Sequence, residues 1–542
     1  MRKIRKKRRR ILWMTFILFI VFAYLLWPLQ SDEFQITWDQ QKIEEKSEIL
    51  SSIKLIRDSL NIPPNIVIIL ADDLGKAEVS AYGQDLVHTP NIDAIANNGV
   101  LFTEAYITSP ICSPSRAGLI TGRYQQRFGY ELQPHDRYPR NRLEFIAFKY
   151  FIDTDNWVVA DERIAYPNPE DILKQGLPPS EITLAELLKP FGYRTGVVGK
   201  WHLGLNKFSY PLQRGFDYHY GFYEAFSLYA HEDDPTIVNH HHDWLFTDKY
   251  IWGPGRTGNC AIYRNDEVVE EREYITKKFA QEAIEFIDKN KLEPFLLYLP
   301  FNAPHTPFQA LKEDYDTFDH VKDQNKRVYY AMIKSLDDAV GKIMDKLEHE
   351  NLLENTLVFF LSDNGGASYT KATDNFPLKG GKITNFEGGI NIPFMMQWKE
   401  SIPSGQVFDK PVSSLDVFAT SMQVAGVKMP QRKLDGVDLI PYISEEESGT
   451  PHEALYWRSG YNSAIRKGDW KLIINEMDGV HRLYNLREDK SEEHNLYVRN
   501  KVLVGELKKE LNDWSATLVS PRWPRIMDWE YDDGEEVIHF AM

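Results

Sequence analysis

Four short apolar runs limit what this chain can fold into: Asn65–Leu70 (NIVIIL), Arg194–Val198 (RTGVV), Phe295–Leu299 (FLLYL) and Thr356–Leu361 (TLVFFL). Each is apolar nearly throughout rather than alternating, as expected of a strand buried on both faces. Helical periodicity fills segments between them, at Thr183–Leu188, Glu273–Asn290 and Asn325–Glu348. In the last, Tyr329, Met332, Ile333, Leu336, Val340, Ile343 and Leu347 form one stripe, which predicts a core-facing helix. Strands alternating with helices predict an α/β fold, a large and mostly parallel sheet sandwiched by helices. Beyond about residue 445 the pattern changes. SAIRKGDWKLIINEMDGVHRLYNL reads as short antiparallel strands with a turn at Asp478–Gly479, and KVLVGELKKELNDW as an amphipathic helix. This predicts a smaller C-terminal α+β subdomain.

The N-terminus has a different character. Eight of the first ten residues are Lys or Arg, and Ile11–Leu29 carries no charge. Such a run predicts a signal anchor with the rest of the chain outside the cytoplasm, in the periplasm or at the cell surface. Secretion after cleavage is the alternative, although LLWPLQSDEF offers no small-x-small cleavage site. No Asn-x-Ser/Thr sequon occurs, which fits a bacterial setting better than a glycosylating one. The predicted organisation is a basic segment and anchor (1–30), a polar spacer (31–62), a catalytic domain (63–445) and the C-terminal subdomain (446–542). The net charge is −16 despite the basic start, which argues against a nucleic-acid partner.

Ligands of open parallel sheets gather beyond the carboxyl ends of the strands. There the chain places Asp72 and Asp73, then Lys200 and His202, then His305, then Asp363 and Asn364. Three carboxylates and an amide make an oxygen-rich set that suits Ca²⁺ or Mg²⁺ better than zinc.

Cys112 belongs to the same group. It is one of two cysteines, so a Cys112–Cys260 disulfide or two inert thiols are the ordinary readings. Yet it precedes a helical run in which Ser113 could cap and Pro114 could take the first position, with Arg116 one turn on. That setting favours an anion.

These residues resemble a known family. CSPSRAGLITGR resembles the signature that marks a cysteine for oxidation in the formylglycine-dependent sulfatases of the alkaline-phosphatase-like superfamily. GYRTGVVGKWHLG resembles their second signature. ADDLG, APHTP, SDNGG and LKGGKITNFEGGINIP match in type and order, as does the tail pattern RKGDWKLI…LYNL…EEHNL.

The resemblance implies a sulfuric ester hydrolase acting on a sulfated carbohydrate. Cys112 would become 3-oxoalanine (formylglycine), made by a formylglycine-generating or anaerobic sulfatase-maturating enzyme. Asp72, Asp73, Asp363 and Asn364 would hold Ca²⁺ in preference to Mg²⁺. Arg116, Lys200 and His202 would surround the aldehyde, and His305 and Lys382 would face the substrate. Two other functions stay open: a phosphoester or phosphonate hydrolase of the same superfamily, and a catalytically silent, membrane-anchored binder of sulfated glycans.

Other features read more plainly. His240, His241 and His242, in HHHD, suggest a solvated loop or a substrate contact, and Lys379 is a further possible contact. Tyr218, His219 and Tyr220 read as packing, and Cys260 as a free thiol. The aromatic-rich segment Arg142–Pro169 reads as an insertion that either lines the pocket or makes a surface excursion.

Overall fold

The computed structural model describes residues 2–29, 35–55, 63–83, 86–160, 166–428 and 432–542. Its centre is a ten-stranded mixed sheet. Strand Asn65–Ala71 lies in the middle, parallel to Phe295–Pro300 on one side and to Thr356–Ser362 on the other. Arg194–Lys200 and Tyr218–Phe222 extend the parallel part. Phe394–Gln397 runs antiparallel beside Thr356–Ser362.

The strand alternation divides the core. Ile66, Ile68 and Leu70 face one apolar layer, and Val67, Ile69 and Ala71 face the other. Helices Ile275–Asn290 and Gln324–His349 cover the second layer, and every residue of the predicted stripe from Tyr329 to Leu347 is buried. Both faces being covered explains why the strands read as continuous apolar runs.

The C-terminal subdomain holds four antiparallel strands, Ala454–Ser459, Asn462–Lys467, Trp470–Asn475 and Val480–Asn485, with helix Lys501–Ser515 packed on them. The chain then turns back. Met527–Asp532 pairs with Val537–Ala541 and with Trp157–Val159, so the tail forms a three-stranded sheet with the Arg142–Pro169 segment. Residues 161–165 of that segment lie outside the described residues, as do residue 30 of the predicted anchor and 31–34 and 56–62 of the predicted spacer. The rest of the spacer includes helix Gln40–Ser52, whose Lys46 pairs with Glu186 at 2.6 Å.

The signal-anchor expectation needs correction. The first helix, Arg2–Leu25, carries the basic block within it, so its charge-free part is only Ile11–Leu25. At a rise of 1.5 Å per residue that part covers about 22 Å, against a hydrocarbon core of about 30 Å. Among the described residues no helix is long and apolar enough to cross a membrane.

Candidate active site

Strand ends deliver the site as the sequence predicts. Asp72 and Asp73 follow the central strand, and Asp73 takes a left-handed backbone (φ 61°) that turns the chain sharply there. Asp363 and Asn364 follow the neighbouring strand. Asp363 Oδ1 accepts from the Asp73 backbone N–H at 3.2 Å, and Asn364 Nδ2 donates to Asp73 Oδ1 at 2.8 Å. Cys112 is the first residue of helix Cys112–Thr121. Its sulfur lies 3.5 Å from Asp72 Oδ1 and 3.6 Å from Asp73 Oδ1.

The predicted Ser113 cap is absent. Ile111 occupies the cap position with no side-chain bond, and Pro114 is the third helical residue rather than the first. The Ser113 hydroxyl instead donates to the His202 carbonyl at 2.6 Å and bonds Tyr130 Oη at 2.7 Å. It thereby ties the cysteine helix to the His202 loop.

Basic side chains surround the carboxylates in two tiers. Lys382 Nζ lies 2.8 Å from Asp73 Oδ1, and His305 Nε2 lies 3.7 Å from Asp73 Oδ2. Lys200 Nζ donates to Asp72 Oδ2 at 2.6 Å. Arg116 grips Asp363 through Nε and a terminal nitrogen, both at 2.8 Å, and donates to the Lys200 carbonyl at 2.7 Å.

The charges shift as this packing dictates. Burial, with the Asp72 charge, pushes Asp363 up to about 6. Burial alone would raise Asp73 too, but Lys382, His305 and Lys200 bring it well below the carboxylate range. Burial and Lys382 lower His305 to about 3, and burial with Lys200 and Arg116 takes His202 well below its ordinary value. Burial and Asp363 push the Cys112 thiol far up.

The donor set fits a hard cation. Ligand atoms of Asp72, Asp73, Cys112 and His305 lie within 4.8 Å of one another. Asn364 Oδ1, beside them, is buried without a hydrogen-bond partner. Buried polar atoms are rarely left so, and an amide oxygen among three carboxylates is what a hard cation coordinates.

A cavity of about 700 Å³ opens above this cluster. Cys112, His202, His305 and Lys382 line it, whereas Arg116 and Lys200 do not. Those two are fully buried behind the carboxylates, so they face the Asp residues rather than the space around Cys112. The other expected contacts also lie elsewhere. Lys379 turns toward Asp533, 3.8 Å away, and lies over the Phe386 ring. His240 sits in a strand paired with Phe308–Leu311, His241 stacks on Trp252, and buried His242 bonds Asn325 at 2.7 Å. None of the four lines the cavity.

The cavity walls were not anticipated residue by residue. Phe148 and Trp157 from the insertion line it, together with Phe246, Tyr369, Met527 and Met542. Trp157 packs edge-on against Tyr369 and Trp529. Of the two readings of Arg142–Pro169, the structure favours the lining one. Cys112 and Cys260 are both buried, free thiols, so no disulfide joins them.

Residues 64–427 match the sulfatase family, and the chain belongs to it. It is a sulfuric ester hydrolase on the alkaline-phosphatase-like fold. Residues 381–517 also match the C-terminal region of N-sulphoglucosamine sulphohydrolase. The chain is 33% identical over 436 residues to N-acetylgalactosamine-6-sulfatase of Rattus norvegicus, covering 79% of this chain and 74% of that one. It is 30% identical over 463 residues to steryl-sulfatase of Homo sapiens, covering 74% and 73%. Among solved structures, Ps i-CgsB in complex with k-i-k-neocarrahexaose aligns with a TM-score of 0.70 at 33% identity, covering 85% of this chain and 94% of that one.

Proposed function

We propose that this sulfatase removes sulfate from a sulfated carbohydrate, using formylglycine derived from Cys112 and a bound Ca²⁺. The observation that carries this reading is the convergence of Cys112, His202, His305 and Lys382 on the floor of one cavity, directly over Asp72 and Asp73. The aromatic walls and the volume suit a sugar chain. The names of the relatives, an acetylgalactosamine sulfatase and a complex with a neocarrahexaose, support the same substrate class. Asp72, Asp73, Asp363 and Asn364 would hold the cation, which when bound would draw charge from a sulfate oxygen and acidify a nearby hydroxyl.

In the converted protein, one hydroxyl of the hydrated aldehyde attacks sulfur and the substrate alcohol leaves. His305 gains a proton once the anionic sulfate ester sits beside it and passes that proton to the leaving alcohol, with Lys382 beside it stabilising charge on the transferring sulfuryl group. His202 then takes a proton from the second hydroxyl, the carbonyl re-forms and sulfate is expelled. Both His202 ring nitrogens are free of hydrogen bonds, so one is available for that proton. Arg116 and Lys200 fix Asp363 and Asp72 from behind. Maturation requires a formylglycine-generating or anaerobic sulfatase-maturating enzyme. The basic block followed by the apolar helix suits an exported chain, and supports a catalytic domain that works outside the cytoplasm.

Mass spectrometry of the Cys112 peptide, after co-expression with a maturating enzyme, tests the reading. Formylglycine should accompany turnover of aryl sulfates and sulfated oligosaccharides, and Cys112→Ala should abolish it. Full activity with thiol alone at residue 112 would refute the mechanism. Faster release from an aryl phosphate would move the protein to phosphoester chemistry.

A further inference from the structure

Three charged residues with no part in the reaction meet in one buried cluster. Lys471, from GDWKLI, lies on strand Trp470–Asn475 of the C-terminal subdomain. Glu492, from SEEHNL, lies in the loop after strand Val480–Asn485. Glu387, from NFEGGINIP, opens a one-turn helix in the catalytic domain. Lys471 Nζ is 2.9 Å from Glu387 Oε1 and 2.8 Å from Glu492 Oε1, with all three side chains closed off from solvent. Glu492 Oε2 accepts from the Glu387 backbone N–H at 2.6 Å. The other Glu387 oxygen accepts from Tyr106 at 2.8 Å and from Asn391 at 2.9 Å.

Packing alone does not call for such a cluster. Buried ion pairs are often no more stabilising than apolar residues of the same volume, and their best use is to fix one geometry. The geometry at stake here is that of residues 378–391, which carry Lys382. Apart from the turn at Glu387, this segment is irregular. The Gly388 N–H donates to the Lys379 carbonyl at 2.7 Å, and the Lys382 N–H to the Gly366 carbonyl at 3.0 Å. The Gly365 N–H, next to Asn364, donates to the Gly389 carbonyl at 3.0 Å. The approach is so close that a Cβ on Gly365 would stand 1.7 Å from the Gly388 carbonyl oxygen. Whatever holds Glu387 therefore holds both the Lys382 segment and the loop bearing Asp363 and Asn364.

We propose that Lys471 and Glu492 are positioning residues, through which the C-terminal subdomain clamps Glu387 and sets where the Lys382 ammonium stands on the cavity floor. The inference rests on the reading that Lys382 acts on the substrate. It gives the GDWKLI and EEHNL motifs a function: they complete the active site from outside it.

A double-mutant cycle on the full, converted chain tests this, with an aryl sulfate as probe. Lys471→Met should lower kcat about 10–100-fold, the range found when the support of an active-site group is removed. In a Lys382→Ala background it should lower kcat less than about twofold further, because its effect passes through Lys382. Glu492→Gln keeps the size and the acceptor for the Glu387 N–H, and so serves if Lys471→Met fails to fold. It should lower kcat about tenfold alone and hardly at all in the Lys382→Ala background. Losses that multiply in the double variants would overturn the inference, because the effect would then not pass through Lys382. Full activity of Lys382→Ala would instead overturn the reading of Lys382, and the inference with it.

Discussion

The sulfur of Cys112 lies 3.5 Å from Asp72 Oδ1, with Asp72 fully buried and Cys112 all but buried at the floor of the cavity. A thiol so placed is a poor nucleophile, because burial and the charge of Asp363 suppress its thiolate. In unconverted, folded protein, Cys112 should therefore resist iodoacetamide at pH 8 and react only on unfolding. Peptide mass spectrometry after timed alkylation checks this. Modification at the rate of a free thiol would contradict the buried placement.

Lys382 and Arg116 should fail in different ways. Lys382 faces the cavity, so Lys382→Ala should cost about 2.7–4 kcal/mol of barrier, or roughly 100- to 1000-fold in kcat, on top of the stability lost with its pair to Asp73. Arg116 is locked to Asp363 with both side chains buried, so Arg116→Ala should destabilise the fold by about 3–5 kcal/mol. Kinetics and thermal melts on the two variants separate these outcomes.

Cation removal should lower both activity and Tm. A chelator leaves Asp72, Asp73 and Asp363 facing one another, and burial and the charge of Asp72 already push Asp363 up to about 6. Restoring the cation at 100 times its Kd should return about 2.7 kcal/mol. Ca²⁺ should restore more than Mg²⁺, because an all-protein oxygen cage suits the larger ion. Melting curves with each ion check the order.

His452 gives the C-terminal half a pH-dependent contact. Its Nε2 lies 2.8 Å and 3.0 Å from the two oxygens of buried Asp416. Burial would lower its pKa, but Asp416 more than offsets this, and the value is raised above 6.5. A raised histidine contributes fully below its unfolded pKa, and the contribution fades as pH rises through the folded one. His452→Gln should thus cost about 1–3 kcal/mol near pH 6, and its penalty should shrink by pH 9. A penalty that grows with pH would refute the pairing.

Trp157 joins stability to recognition. It packs on Trp529 and Tyr369, and its strand pairs with Met527–Asp532. Trp157→Ala should cost about 3–5 kcal/mol of stability. It should also raise KM for a sulfated oligosaccharide more than for a small aryl sulfate, which occupies only the cavity floor. Parallel kinetics on both substrates are the check.

The sheet and the cavity floor were legible in the sequence because they obey local rules. Asp72, His202, His305 and Asp363 each follow an apolar run or a signature stretch, and a parallel sheet gathers such ends on one edge. Side-chain direction in loops obeys no such rule. Lys379 and Lys382 are three residues apart, yet one turns to Asp533 and the other to Asp73. The pairing of Val159 with Met527 joins segments remote in sequence; MDWEYD alternates as a strand should, but its partner WVV is too short to announce the pairing. The N-terminal run misled in a different way. Composition counts apolar residues, whereas crossing a bilayer depends on how many of them lie in one helix.

The last strand, Val537–Ala541, completes the sheet whose first strand is Trp157–Val159, beside the cavity. Synthesis makes Cys112 before this strand. In the folded protein Cys112 is buried at the start of a packed helix, at the bottom of the cavity. On the reading proposed above, an enzyme that oxidises Cys112 would have to meet the chain before this sheet forms beside the cavity.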